Sequence, residues 1–326
     1  MIWLTWRQLR MQTAVVVATL AVLVALLTAT GPRLASLRTT AGGDLIQQLT
    51  SADTALYFAG AVTVLLVPAL LGMFWGAPLV ARELESGTHR LAWNQSVTRT
   101  RWLLTKLIVT GGTAVAAAGL ASFAVSWWSS PIDQAVSAGG SDNTDNFVPR
   151  VDPAVFAARG IVPLGYALFA FVLGVTLGVV VRRTIPAMAA TLATSTALQV
   201  AMPLWIRPHL ATPSTVTVPF RPGTMANLRL DSVSQVDIGR PDSWVVAEQT
   251  LNATGHPAAH LPESYADCDS PKVCLTALAK AGYHQRVTYQ PAGNFWILQW
   301  AEASVYAVLV AVVGAFCFWW CRRRVT

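Results

Sequence analysis

Charged residues are scarce in this chain, and long uncharged runs take their place. Asp, Glu, Lys and Arg make up 12% of the 326 residues, hydrophobic residues make up 54%, and the mean hydropathy is +0.48. This composition excludes an ordinary soluble domain and is typical of an integral membrane protein. A membrane-crossing helix needs roughly 20 apolar residues. Stretches without a single charged residue cover 11–32, 54–81, 107–132, 160–181, 184–206 and 303–321.

These stretches predict six transmembrane helices, which we call spans 1 to 6. Because a charge buried in a bilayer is costly, intramembrane ionisable groups usually belong to ion or proton pathways. Here the spans lack them, and Glu302 precedes span 6 at its outer edge, where we expect its carboxylate to reach water. The sequence therefore disfavours a transporter driven by protons or sodium.

Motifs for catalysis and for nucleotide binding are also missing. The chain has no G-x-x-x-x-G-K-[ST], no H-E-x-x-H and no G-x-S-x-G. His256 and His260 are four residues apart, but Pro257 argues against a shared helical face. We therefore predict that the chain is not an enzyme, binds no metal and no cofactor, and does not hydrolyse ATP through that motif.

The net charge of +7 is explained by membrane topology. If the N-terminus is cytosolic, the short inner segments hold twelve basic residues, as the positive-inside rule requires. Lipid contact then accounts for the charge, and we expect no nucleic-acid partner. Both termini are predicted to be cytosolic. The twelve residues are Arg7, Arg10, Arg82, Arg90, Arg99, Arg101, Lys106, Arg182, Arg183, Arg322, Arg323 and Arg324.

The predicted fold class is an all-α integral membrane protein with a mixed extracytoplasmic domain between helices 5 and 6. Trp and Arg in the first ten residues favour an amphipathic interfacial helix, with an unstructured tail as the alternative. Span 1 is longer than a signal-peptide core, and we expect it to be retained. The predicted divisions are 1–10 interfacial, 11–206 spans 1 to 5, 207–298 extracytoplasmic, 299–321 span 6 and 322–326 basic tail.

The extracytoplasmic segment is long enough to contain structure of its own. β-type runs occur at 214–218 and 244–246, and a helix is predicted between an N-cap at Ser270 and a stop at Gly282. Cys268 and Cys274 bracket the start of that helix. Outside the cytosol a disulfide between them can persist, and we predict one, with two free thiols as the alternative.

Small and polar residues inside the spans have two interpretations each. Gly72 and Gly76, and likewise Gly174 and Gly178, have the spacing that lets helices approach closely, within a subunit or across a dimer, or they are ordinary membrane glycines. Span 5 is unusually polar. Its side chains could line a translocation pathway or bond to carbonyls of their own helix. The candidate lining residues are Thr191, Thr194, Ser195 and Gln199.

One charged segment, 79–101, lies on the predicted cytosolic side between spans 2 and 3. Arg82 is expected to pair with Glu85 along a short helix, and Gly87 to end that helix. The run 82–90 reads Arg-Glu-Leu-Glu-Ser-Gly-Thr-His-Arg, and the return to span 3 reads Thr-Arg-Thr-Arg-Trp at 98–102 with Lys106 beyond.

These two motifs resemble those of the permease subunits of ABC-2 type ABC transporters, especially the actinobacterial type. The start of the chain at 3–8 and the approach to span 6 at 289–296 are similar too, so the resemblance covers nearly the whole sequence. It implies an ATP-driven exporter in a bacterial plasma membrane. The permease would form the pathway as a homodimer and work with two copies of a cytosolic ATPase subunit, which would bind ATP and Mg²⁺.

The same resemblance implies that the loop between spans 2 and 3 docks onto the ATPase. The docking residues would be Arg82, Glu83, Glu85, Gly87, Thr88, His89 and Arg90. The segment after span 5 is larger than in minimal members of the family, which suggests a cap, a gate or a partner surface. The alternative function is a membrane-anchored sensor or adaptor whose extracytoplasmic domain binds a ligand or partner.

Overall fold

The structure is a computed structural model that describes most of the chain. The described residues are 2–87, 99–139, 147–221, 227–228, 233–234, 238–258, 260–262, 265, 268 and 270–324.

Six helices among these residues are long and apolar enough to cross a membrane, as predicted. Four of them are single helices, and the first three are Ile2–Ala41 (span 1), Arg99–Ser137 (span 3) and Val162–Val181 (span 4). Span 6 is the helix Phe295–Arg324. Span 2 joins Ser51–Leu71, a π-helical turn Gly72–Gly76 and Ala77–Glu85, and span 5 joins Thr184–Ala201, a π-helical turn Met202–Ile206 and a 3₁₀ turn Arg207–His209.

Span 1 differs from its predicted outline. Residues 2–10 continue into the membrane-crossing part as one helix of 40 residues, without a break between them. At 1.5 Å per residue this helix is about 60 Å long, twice the roughly 30 Å hydrocarbon core. Its ends must therefore extend beyond the core, and an interfacial role for 1–10 stays a prediction.

The ends of the helices follow from local sequence signals. Thr50 and Asp53 form a reciprocal capping box at the start of span 2, each accepting a hydrogen bond from the backbone of the other. Spans 4 and 5 are joined by Arg182 and Arg183 alone, which is the tight hairpin that the sequence predicts. Arg182 closes span 4 in the left-handed conformation, and its N–H donates to the carbonyl of Gly178.

Span 4 lies at the centre of the bundle. Two thirds of its most apolar window (67%) is buried, against 17% for spans 1 and 6. Phe171 and Val175 of span 4 are fully buried in a core that also contains Trp75 of span 2 and Leu103 of span 3. The outer spans therefore keep apolar faces that this single chain does not cover.

Between spans 5 and 6 the chain forms an antiparallel sheet of β1 (Ser214–Pro219), β4 (Trp244–Leu251) and β5 (His284–Gln290) in the order β1-β5-β4. A second pair joins β2 (Asn227–Leu228) to β3 (Val233–Ser234). The helix Pro271–Lys280 follows an extended Ser270, as predicted, and Cys268 is bonded to Cys274 at its start.

Candidate coupling site at the end of span 2

The charged end of span 2 is positioned by close contact between spans 2 and 4. A methyl group added at Gly72 would lie 2.5 Å from the carbonyl oxygen of Ala170, and one at Gly76 would lie 2.6 Å from that of Phe171. In the other direction, a methyl group at Gly174 would lie 2.5 Å from the oxygen of Gly72. Only residues without a side chain allow the two backbones to approach this closely.

The same contact continues toward the charged segment. A methyl group at Gly178 would lie 2.6 Å from the carbonyl oxygen of Ala77 and 3.3 Å from the nitrogen of Ala81. Both predicted glycine pairs therefore meet each other inside one subunit. They hold the first residues of the charged segment against span 4, so that the segment leaves the bundle at a defined position.

A π-helical turn lies within this contact. It covers Gly72–Gly76, one turn after Pro68, and it adds a residue to the helical repeat. This insertion changes which side chains face span 4 on either side of the turn. Such turns occur often at functional positions of membrane helices and of enzymes.

Glu83 is bonded to span 3. Its carboxylate accepts a hydrogen bond from the Lys106 ammonium at 2.5 Å, and that ammonium also donates to the carbonyl oxygen of Leu79 at 3.2 Å. The Lys106 side chain is 5% exposed and lies 4.8 Å from the centre of the Trp102 ring. A buried ion pair with additional partners is costly to break from one side, because the remaining charge is left without a counter-ion.

Glu85 is bonded to span 5. Its carboxylate accepts hydrogen bonds from the backbone N–H of Thr184 at 3.1 Å and from the Thr184 hydroxyl at 2.7 Å. Thr184 is the first residue of the span 5 helix, where backbone N–H groups have no partner within the helix and a negative charge is favourable. Glu85 therefore caps span 5 from outside that helix.

The predicted pair between Arg82 and Glu85 is wrong: among the described residues Glu85 bonds to Thr184, and Arg82 is exposed. The two residues have the right spacing, but span 5 offers the carboxylate two donors at once. Gly87 has a φ of 72°, beyond the end of the helix, where glycine is favoured. Thr88, His89 and Arg90 lie outside the described residues.

The polar residues of span 5 fall on different faces. Thr191 and Ser195 are buried within the subunit, and their hydroxyls donate to the carbonyls of Ala187 and Thr191 of their own helix at 2.7 Å. Thr194 is exposed and Gln199 is half-buried. Thr191 and Ser195 are therefore bonded to carbonyls of their own helix, which is the second interpretation given above. A pathway role for Thr194 and Gln199 stays a prediction.

A second charged contact, which sequence analysis missed, joins spans 5 and 6 at the other end of the bundle. Arg207 donates to both carboxylate oxygens of Glu302, at 2.7 and 3.2 Å, and Tyr166 of span 4 donates to Glu302 at 2.5 Å. Arg207 and Glu302 are completely buried. The expectation that Glu302 reaches water is wrong, because a basic residue over ninety positions earlier in the chain packs against it.

Among the residues that the structure describes, no group of three or more His, Cys, Asp or Glu could hold a metal ion. The profile of one protein family, described as ABC-2 membrane transporter related, matches residues 8–207. That is more than half of the 326-residue chain. The chain belongs to this ABC-2 family. No curated protein and no solved structure matches it.

Membership of the ABC-2 family identifies the chain as a multi-pass membrane protein and as a permease component of an ABC transporter. It also implies partnership with an ABC ATPase subunit. The matched region contains spans 2 to 4, nearly all of spans 1 and 5, both glycine pairs and the whole charged segment. The extracytoplasmic sheet and span 6 follow it, and the buried pair of Arg207 and Glu302 links the last matched residue to span 6.

Proposed function

We propose that this ABC-2 protein is the permease subunit of an ATP-driven exporter in a bacterial plasma membrane. Two copies would form the translocation pathway, each with a cytosolic ATPase subunit docked on the segment that follows span 2. ATP and Mg²⁺ would be bound by the ATPase. The observation that supports this proposal best is that the segment is bonded to two other spans through Glu83 and Glu85.

This bonding suggests how a force on the segment would reach the membrane. Glu83 connects it to Lys106 of span 3, and Glu85 connects it to the first residue of span 5. A displacement of the segment would therefore move three spans together. Glu83 and Glu85 act on this view as positioning residues inside the subunit, and exposed Arg82 is the described residue best placed to contact the ATPase.

The pathway would lie between the two subunits. Span 5 has a mostly exposed face, including Thr194 and the large apolar residues Ile185 and Leu204. We propose that this face and span 2 border the route of the cargo, with the extracytoplasmic domain above it as a cap or gate. The direction, export, is proposed from the resemblance to ABC-2 permeases.

Copurification tests the proposal. The full-length chain, tagged and extracted in mild detergent from its own host, should retain a P-loop ATPase in about equal amount. Arg82→Glu should weaken that association by roughly tenfold, because like charges replace a complementary contact at the docking surface. Arg240→Glu, an equal change at an exposed arginine of the extracytoplasmic domain, is the matched control.

A chain that retains no ATPase, or one whose Arg82→Glu variant retains as much as the control, would contradict the docking assignment. Absence of the ATPase together with ligand binding by the extracytoplasmic domain would instead favour the sensor or adaptor.

A further inference from the structure

A small cavity lies at the end of the bundle away from the charged segment. Its volume is about 180 Å³, it is partly open, and it is bordered by the end of span 3, the stretch before span 4 and the start of span 6. Polar side chains of span 3 form one wall, and Phe295 and Trp296 form another. Arg150 and Arg159 also line it. The pathway and the coupling segment use none of these residues.

Arg159 lines this cavity and carries two donors without a partner among the described residues. The residue is 2% exposed, and its Nε donates to the carboxylate of Asp133 at 3.3 Å. Its guanidinium lies over the ring of Tyr57, 5.1 Å from the centre. Within the described part of the chain, neither Nη1 nor Nη2 has a hydrogen-bond partner. Because a buried charged group without partners is costly, such donors usually have a ligand or an ordered water.

The remaining polar groups favour a negative ligand. Ser126 lines the same cavity, and its hydroxyl is also buried without a partner among the described residues. The carboxylate of Asp133 is occupied by Arg159 and by the hydroxyls of Tyr57 and Ser129, at 3.3 and 3.1 Å. With Arg150 at its edge, the cavity has two positive charges against one negative charge. Its buried groups without a partner among the described residues, the Arg159 nitrogens and the Ser126 hydroxyl, can all donate.

The position of the cavity fits the headgroup level of a membrane. Span 3 carries Lys106 near one end and Asp133 near the other, about 40 Å apart at 1.5 Å per residue. That distance exceeds the roughly 30 Å hydrocarbon core, so with Lys106 near the cytosolic boundary, as the sequence predicts, the cavity lies beyond the opposite boundary. Trp296, which lines the cavity, is 52% exposed, and tryptophan is enriched where headgroups meet water.

We propose that this cavity binds a phosphate group. Arg159 would donate through Nη1 and Nη2, Ser126 through its hydroxyl, and Arg150 would close the site from its exposed position. A guanidinium offers two parallel donors, which suits phosphate oxygens better than a single ammonium does. The phosphate would come from the headgroup of an anionic phospholipid or from a soluble phosphate.

The test compares matched ligands and matched variants of the full-length chain in a neutral detergent. Native mass spectrometry would measure binding of phosphatidylglycerol and of diacylglycerol, which has the same chains but no phosphate. We expect phosphatidylglycerol to bind at least roughly tenfold more tightly. Ser126→Ala and Arg150→Gln should each reduce that preference severalfold. Arg240→Gln should not, and it is a matched control because Arg240 is exposed over the ring of Tyr289 as Arg150 is over the ring of Phe295.

The variants are chosen so that folding is preserved. Ser126→Ala removes a buried hydroxyl that has no partner among the described residues, so the protein without ligand should be no less stable. Arg150 is exposed. Arg159 is left intact because its loss would also leave Asp133 without its counter-ion.

Inorganic phosphate distinguishes the two sources. If it raises the melting temperature of the wild-type chain but not of Ser126→Ala, and competes with the lipid, the site accepts soluble phosphate. Lipid binding that inorganic phosphate does not displace assigns the site to a lipid headgroup. Equal binding of the two lipids, or an equal loss for Arg150→Gln and Arg240→Gln, would overturn the proposal.

Discussion

The buried pair of Arg207 and Glu302 is a charged contact between span 6 and the part of the chain that the family profile matches. Arg207 ends span 5, Glu302 lies in span 6, and Tyr166 of span 4 donates to the same carboxylate. Arg207 also lies over the ring of Phe156, 4.3 Å from its centre. Three spans are therefore joined by a network from which water is excluded.

Replacing one residue of this pair should lower the free energy of unfolding far more than replacing both residues together. Glu302→Leu leaves the Arg207 charge buried without a counter-ion, and we expect the free energy of unfolding to fall by about 3–5 kcal/mol. The double variant Arg207→Met/Glu302→Leu removes both charges and should recover most of that loss, since apolar replacements of buried ion pairs are often neutral. Denaturant or thermal unfolding in detergent measures both.

Both variants have leucine at position 302, so any effect of that leucine on packing is the same in the two. The difference between their unfolding free energies therefore reports the change at Arg207. A double variant as unstable as the single one would show that shape and hydrogen bonding, rather than charge, dominate at this site.

Spans 2 and 4 are held together by backbone contact, which makes their packing unusually intolerant of an added methyl group. At Gly174 that group would meet the carbonyl oxygen of Gly72 at 2.5 Å and the nitrogen of Ala77 at 2.8 Å. Backbone atoms in the middle of two packed helices cannot turn aside as a flexible side chain can. One methyl group would therefore separate the helices.

We expect Gly174→Ala to lower the free energy of unfolding by about 1–3 kcal/mol, with weaker association of the ATPase because the coupling segment is displaced. Gly112→Ala in span 3 is the matched control, since nothing lies within 4 Å of the added methyl group there. That variant should be neutral or up to about 1 kcal/mol more stable, because alanine favours the helix. Equal effects at the two positions would show that helix propensity, and not contact with span 2, matters.

Much of the architecture could be predicted from local patterns in the sequence. Uncharged runs of about 20 residues indicate spans because the bilayer imposes that length. Ser270, Pro271 and Gly282 predict the ends of a helix by residue type, although the Ser270 side chain makes no capping hydrogen bond. Strand β5 was not predicted, because it is stabilised by pairing with β1 and β4 rather than by its own residues. Only Pro291 and a 3₁₀ turn, Ala292–Asn294, separate it from the start of span 6.

The partners of the charged residues could not be predicted in the same way. Glu83 has a nearby arginine in sequence, yet it pairs with Lys106 of span 3, and Glu85 pairs with Thr184 of span 5. Such contacts depend on how close the spans approach, and that distance is determined by glycines whose partner helix is not visible in the sequence. The spacing of Gly174 and Gly178 predicts a close contact between helices, but it does not identify span 2 as the partner helix.

The orientation of the whole protein gives the last prediction. Ser86 and Ser137 are exposed and lie at opposite ends of the bundle, one after span 2 and one at the end of span 3. The native cysteines should contribute little background, since Cys268 and Cys274 are bonded and the remaining two are buried. A membrane-impermeant maleimide added to intact cells should therefore label Ser137→Cys and not Ser86→Cys. Both variants should be labelled after lysis, which controls for reactivity. Labelling of Ser86→Cys alone on intact cells would invert the topology and remove the coupling segment from the reach of a cytosolic ATPase.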